Sequence, residues 1–230
     1  RVSPDPAAAA RVQPASPLPA PKTEGSTAPS IWVQPYLGRT ITLWVLWFAL
    51  NFTFQGVFVW LPTLLIAGGN SLSRAYLLAL VISLGQVPGT LLAAFLADRV
   101  SRRLSIAAFL VLWGISVFLF GLSAGPASLL FWGFLLAIWN GAAWGVAYPF
   151  TTELYPTRIR GAATGWASGF GRTGGILAPW LVGVLIQASS GSAVIFALLG
   201  AVPALTSLAL AGLRQDTTGR ALEEISDRSA

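Results

Sequence analysis

The sequence predicts an all-α membrane protein, a six-transmembrane-helix bundle. Hydrophobic residues make up 55% of its 230 positions and charged residues only 10%, against roughly 25% charge in an average soluble domain. A water-facing surface cannot be assembled from so few charges. The apolar residues also come in long unbroken runs. Barrel strands would alternate apolar with polar residues, so each run reads as a helix.

Six runs follow in order: 41–67, 75–97, 104–124, 127–150, 162–187 and 192–213. Each holds about 20 residues or more, enough to cross a hydrocarbon core of about 30 Å as a helix. Pro62, Pro88, Pro149, Pro179 and Pro203 lie inside runs or at their ends. In a membrane bundle such prolines act as kinks and need not split the helices. The fifth run carries Gly165, Gly169, Gly171, Gly174 and Gly175, with two G-x-x-x-G spacings. That pattern predicts close helix packing, or a helix that slides or bends as the protein changes shape.

The flanks read differently. Residues 1–30 are rich in Pro, Ala and Ser, and prolines interrupt every apolar stretch. This is a disordered tail or linker rather than a signal peptide, and residues 214–230 form a second polar tail. The chain opens on Arg1 and contains no Met, so it reads as a piece of a longer product. Placing the start of the first run in the cytoplasm puts Arg1, Arg11, Lys22, Arg39, Arg99, Arg102, Arg103, Arg158, Arg160, Arg214, Arg220 and Arg228 inside. Only Arg74 is then outside, with Arg172 within a span. The positive-inside rule therefore predicts an integral protein of the cytoplasmic (inner) membrane with both ends cytoplasmic.

Composition excludes several chemistries. The chain has no His and no Cys, which removes thiol nucleophiles, disulfides, imidazole acid–base work and zinc sites with N or S ligands. No Asp or Glu lies deep in any run, so no general base of the usual kinds is available within the bilayer. The expectation is no enzyme, no metal and no cofactor. The net charge of +6 belongs to cytoplasmic loops and not to nucleic-acid binding.

Two of those loops carry complementary charge. The second and third runs are joined by Asp98-Arg99-Val100-Ser101-Arg102-Arg103, the fourth and fifth by Glu153-Leu154-Tyr155-Pro156-Thr157-Arg158-Ile159-Arg160-Gly161. Both lie on one side of the membrane. Glu153 is thus expected to approach Arg102 or Arg103, and Arg160. Arginines at a cytoplasmic helix end can also be simple topology anchors.

These loops, with Thr217-Thr218-Gly219-Arg220-Ala221-Leu222-Glu223-Glu224 after the last run, resemble the carboxy-terminal half of a major facilitator superfamily transporter. The first is similar to that superfamily's D-R-x-G-R-R loop, with Ser101 in place of its glycine and Ala94 where another glycine usually stands. The second is similar to the E-x-x-P-x-x-x-R loop of sugar-porter-like members, and the third to their carboxy-terminal signature. The stretches Leu43–Thr63 and Gly169–Pro179 resemble metabolite:proton symporters that carry nicotinate, aromatic acids and similar small organic ions. The tyrosine pair of true sugar porters is missing.

The resemblance implies one half of a twelve-helix fold, with residues 1–30 as the end of a central loop and an amino-terminal six-helix half as partner. It implies secondary active transport of a small organic solute by alternating access, with any coupled proton carried by that other half. Asp98, Arg99, Arg102, Arg103, Glu153 and Arg160 would form a cytoplasmic gate. A sugar transporter is the alternative within the family. Outside transport, the alternative is a six-helix sensor or self-associating half.

Polar groups inside the runs mark a candidate substrate site by depth, at 1.5 Å per residue. Asn51 and Gln55 share a face of the first run, Gln86 sits halfway along the second, Asn140 and Trp144 share a face of the fourth, and Arg172 lies about 15 Å along the fifth. All six stand near the midplane, where such transporters bind substrate. Amides and indoles can equally be polar glue between helices. Arg172 either pairs with a carboxylate or helix carbonyls, or recognises an anionic substrate.

Overall fold

The computed structural model describes residues 31–211 other than 33, 35, 98, 189 and 190. Both expected tails, the carboxy-terminal signature and Asp98 lie outside the described residues. Every regular element among the described residues is helical. These are α1 (Leu37–Phe58), α2 (Leu61–Ala67), α3 (Leu72–Leu84), α4 (Gln86–Leu96), α5 (Arg102–Gly121), α6 (Pro126–Glu153), α7 (Thr157–Gln187) and α8 (Ser192–Ala211). Counting α1 with α2 and α3 with α4, they make six spans long and apolar enough to cross a membrane.

Two of the five prolines accompany breaks. Pro62 follows the interruption at Val59–Trp60, and Pro88 follows the one at Gly85. A proline has no N–H for the carbonyl four residues back and its ring crowds that carbonyl, here those of Phe58 and Leu84. At Gly85 packing assists the break: a Cβ there would stand 2.7 Å from the Phe134 carbonyl oxygen. Pro149, Pro179 and Pro203 remain inside continuous helices.

Helix ends shift from the expected bounds for local reasons. Ser71 caps α3 by accepting from the Arg74 N–H at 3.4 Å, and Ser101 caps α5 by accepting from the Leu104 N–H at 3.2 Å. Ser101 stands where the D-R-x-G-R-R loop it resembles has glycine, so the departure adds a side-chain cap. The chain turns after α2 at Gly69, whose φ of 90° suits glycine alone. Helix α7 begins at Thr157, five residues before the expected 162.

Helix pairing sets the architecture. α1 packs along α7 and also meets α8, α5 lies between α6 and α8, and α4 runs against α6. In lipid, where burial from water does not drive helices together, close van der Waals approach does much of the work. Glycines supply it. Gly89 of α4 lies on the Ile138 carbonyl, Gly141 of α6 on the backbone of Gln86, and Gly114 and Gly200 face each other's carbonyls across α5 and α8.

On α7, Gly171 rests on Trp47 and Gly174 on Phe48 and Phe52, while Gly165 and Gly169 have nothing within 4 Å. The packing expectation therefore holds for the later glycines and fails for the earlier two, which face outward. The spans Leu72–Leu96 and Thr157–Gln187 are the least covered, with 22% of their most apolar stretch buried against 44–50% in the other four.

Candidate functional site

At the arginine-rich end, Arg102 Nε donates to Glu153 Oε1 at 2.9 Å, the pair being about one-fifth exposed. Arg103 Nε donates instead to the Leu210 carbonyl at 3.0 Å, satisfying the end of α8. Arg99 folds back on its own helix, donating to the Phe95 carbonyl at 2.6 Å with its guanidinium 3.9 Å from the Phe95 ring centre. Arg160 is half-buried and its Nε makes no hydrogen bond. Of the expected gate residues, the structure thus joins Arg102 with Glu153, while Asp98 lies outside the described residues.

A second set of contacts at this end was not legible in the sequence. Arg39, at 9% exposure, donates from Nη1 to the Leu154 carbonyl at 3.0 Å and lies 5.2 Å from the Tyr36 ring centre. The Thr40 hydroxyl lies 2.8 Å from the Tyr155 hydroxyl and also within bonding distance of the Ile31 and Tyr36 carbonyls. A hydroxyl has one proton, so when Thr40 serves a carbonyl, Tyr155 donates to Thr40. Burial pushes the Tyr155 phenol above its usual range, with the Thr40 hydrogen bond and the Arg39 charge opposing. Trp47 Nε1 donates to Thr151 Oγ1 at 2.9 Å. In the sequence Arg39 is only one more basic residue at a helix start; nothing there links it to a carbonyl more than a hundred residues away.

At mid-membrane, Asn51 Nδ2 donates to the Trp47 carbonyl at 2.9 Å and its side chain lies against Gly171. Gln55 Cγ is in contact distance of the Gly175 position. Arg172 stands at the midpoint of Thr157–Gln187, fifteen residues from either end and exposed. That is about 22 Å from each end of the helix at 1.5 Å per residue, against about 15 Å from the start of the shorter expected helix. Residues three apart share a helix flank, so Arg172 shares one with Gly175, the glycine beside Gln55 and Asn51.

The other expected residues divide. Trp144 is half-buried, edge-on to Trp47 at 5.7 Å and Phe54 at 6.3 Å, and 6.1 Å from Tyr148. Trp47 and Phe54 lie either side of Asn51 in α1, so Trp144 sits level with the amides. Tyr148, 52% exposed, continues this aromatic ledge one turn on. Gln86 is half-buried, and its backbone lies against Gly141 of α6. Asn140 is fully buried and neither of its amide atoms has a hydrogen-bond partner, so it lies beneath the open surface. It keeps the face it shares with Trp144 by spacing, one turn deeper in the packing.

Two amides and aromatic edges thus come together here, with exposed Arg172 one helical turn from Gly175 beside them. These groups suit a planar anion: hydrogen bonds and charge for a carboxylate, stacking surface for a ring. Among the described residues no three His, Cys, Asp or Glu side chains come together as a metal site would require.

Comparison with known proteins agrees with this architecture. The sequence profile of the Major Facilitator Superfamily matches residues 69–228. The chain is 36% identical over 195 residues to a niacin transporter of Acinetobacter baylyi, covering 85% of this chain and 44% of that protein. It is 30% identical over 177 residues to a gentisate transporter of Corynebacterium glutamicum, covering 74% and 40%. Among solved structures it resembles a proton:xylose symporter with a TM-score of 0.70 at 19% identity, covering 83% of this chain and 42% of that one. The chain therefore spans less than half the length of these relatives.

Proposed function

The chain belongs to the major facilitator superfamily, and we propose that it forms the carboxy-terminal wall of a secondary transporter that moves a small organic acid by alternating access. As an integral membrane protein it supplies six of the helices such a fold requires. The observation that carries the reading is Arg172, exposed at the centre of α7 on the flank that borders Asn51 and Gln55. A guanidinium at mid-membrane costs at least about 2.5–3.5 kcal/mol on insertion scales. The helix overhangs a hydrocarbon core of about 30 Å, so a residue at its middle lies about 15 Å from either surface, farther than an arginine side chain extends. Arg172 needs a water-filled cavity and an anion.

A carboxylate matches the planar fork of Arg in two parallel hydrogen bonds. Niacin and gentisate, named for the two relatives, are both aromatic carboxylic acids, which supports the substrate class. In this reading Asn51 and Gln55 bind the substrate's polar edge and Trp144 its ring. Gln86 and Asn140 support α4 and α6 behind them. Arg102 and Glu153 form a cytoplasmic latch, both ends of the chain face the cytoplasm of an inner membrane, and a coupled proton is handled by the amino-terminal half.

The test is Arg172→Lys in the full-length transporter, with nicotinate as ligand. Lysine keeps the charge and loses the fork. We expect affinity to fall at least tenfold with membrane expression unchanged. Undiminished affinity in a well-expressed variant overturns the recognition role, and saturable hexose uptake without nicotinate uptake replaces the substrate class.

A further inference from the structure

Glu153 ends α6, four residues beyond Pro149. Pro149 has no N–H for the Gly145 carbonyl and its ring presses against it, so the helix is weakest just before the turn that carries Glu153. That turn is instead tied sideways to α1. Trp47 Nε1 donates to Thr151 Oγ1 at 2.9 Å, Arg39 Nη1 donates to the Leu154 carbonyl at 3.0 Å, and the Thr40 and Tyr155 hydroxyls lie 2.8 Å apart. The Thr151 hydroxyl donates its own proton to the Ala147 carbonyl at 2.7 Å, so toward Trp47 it acts as acceptor. Trp47 is 2% exposed, which leaves its N–H no water to turn to.

We infer that Arg39, Thr40 and Trp47 are positioning residues for the Arg102–Glu153 pair: they make the last turn of α6 move with α1. The same helix presents Asn51 and Gln55, and Asn51 Nδ2 bonds the Trp47 carbonyl at 2.9 Å. A contiguous set of contacts therefore runs from the mid-membrane amides through Trp47 and Thr151 to the ion pair. A substrate that shifts the amide face of α1 pulls on the turn holding Glu153. This use of the contacts rests on α1 being a wall of the substrate site.

The experiment uses the full-length transporter in a cysteine-free background, to which this chain contributes no cysteine of its own. A single cysteine replaces exposed Thr157, four residues from Glu153. Its labelling rate by a water-soluble maleimide is measured with and without nicotinate. Nicotinate should change the parent's rate at least fivefold. Trp47→Phe and Thr151→Val should each reduce that change to under twofold, and the double variant should do no more than either single. Thr151→Val should leave the nicotinate Kd within threefold, and Thr151→Ser, which keeps the hydroxyl, should retain the full response.

A full response in Trp47→Phe, or additive losses in the double variant, overturns the inference. If the parent binds no nicotinate, the substrate reading fails but the clasp is still tested. Without ligand, Arg39→Gln should raise the labelling rate about as much as Glu153→Gln, and an unchanged rate overturns the positioning role.

Discussion

The Thr53 hydroxyl of α1 donates to the Leu199 carbonyl of α8 at 3.2 Å, and that carbonyl is the one Pro203, lacking an N–H, leaves without its helical donor. A polar side chain on one helix thus repairs the gap a proline opens in another, the usual way a membrane helix tolerates proline. Thr53→Val, of equal shape, should destabilise the full-length protein by about 0.6–1.5 kcal/mol, the range for a buried hydrogen bond. In a Pro203→Ala background the new N–H can take the Leu199 carbonyl, so the same substitution should cost less than half as much. Thermal unfolding in detergent of the four variants checks this double-mutant cycle.

Glycine substitutions should divide by packing and not by motif. Gly89→Ala, Gly141→Ala and Gly174→Ala each place a methyl against the backbone of a neighbouring helix, and overpacking of this kind costs about 1–3 kcal/mol. Gly165→Ala and Gly169→Ala meet nothing within 4 Å and should be neutral or gain up to about 1 kcal/mol from helix propensity. Yield and melting temperature of the five variants would show the split, and equal loss at all five would contradict it.

Neutralising the latch should change conformation more than stability. The Arg102–Glu153 pair is about one-fifth exposed and, at a wet membrane surface, is worth about 0–1 kcal/mol. Glu153→Gln should therefore leave expression intact while shifting the balance toward the state open to the arginine-rich side. Swapping the charges, Arg102→Glu with Glu153→Arg, should return the balance part of the way. Accessibility of single cysteines placed at each end of the bundle reads both effects.

The chain alone should not transport. If the proposed site lies between two halves, a lone half lacks one wall, and its exposed Arg172 would meet lipid. Reconstituted by itself into liposomes, it should show no saturable uptake of nicotinate, benzoate or hexose. Coexpression with the amino-terminal half should restore uptake.

What the sequence determined is local. Run length and composition made six helices, because a span of about 20 apolar residues has no other stable form in a bilayer. Depth along a run nominated Arg172, Asn51 and Gln55 as groups near the middle of their helices, and opposite charge on two loops announced a pairing with Glu153. What only the tertiary structure decided is rotation and neighbour. It chose Arg102 over Arg103 for Glu153 and sent Arg103 to the end of α8. It buried Asn140 and left Tyr148 in the open. It broke two spans at Pro62 and Pro88 yet kept Pro203 helical with help from Thr53, and tied Arg39 and Trp47 to the far end of α6. The physical reason is that a membrane helix is apolar nearly all round. Its sequence carries no polar stripe to say which side faces a partner, so packing of glycine against backbone, not periodicity, fixes which face turns inward.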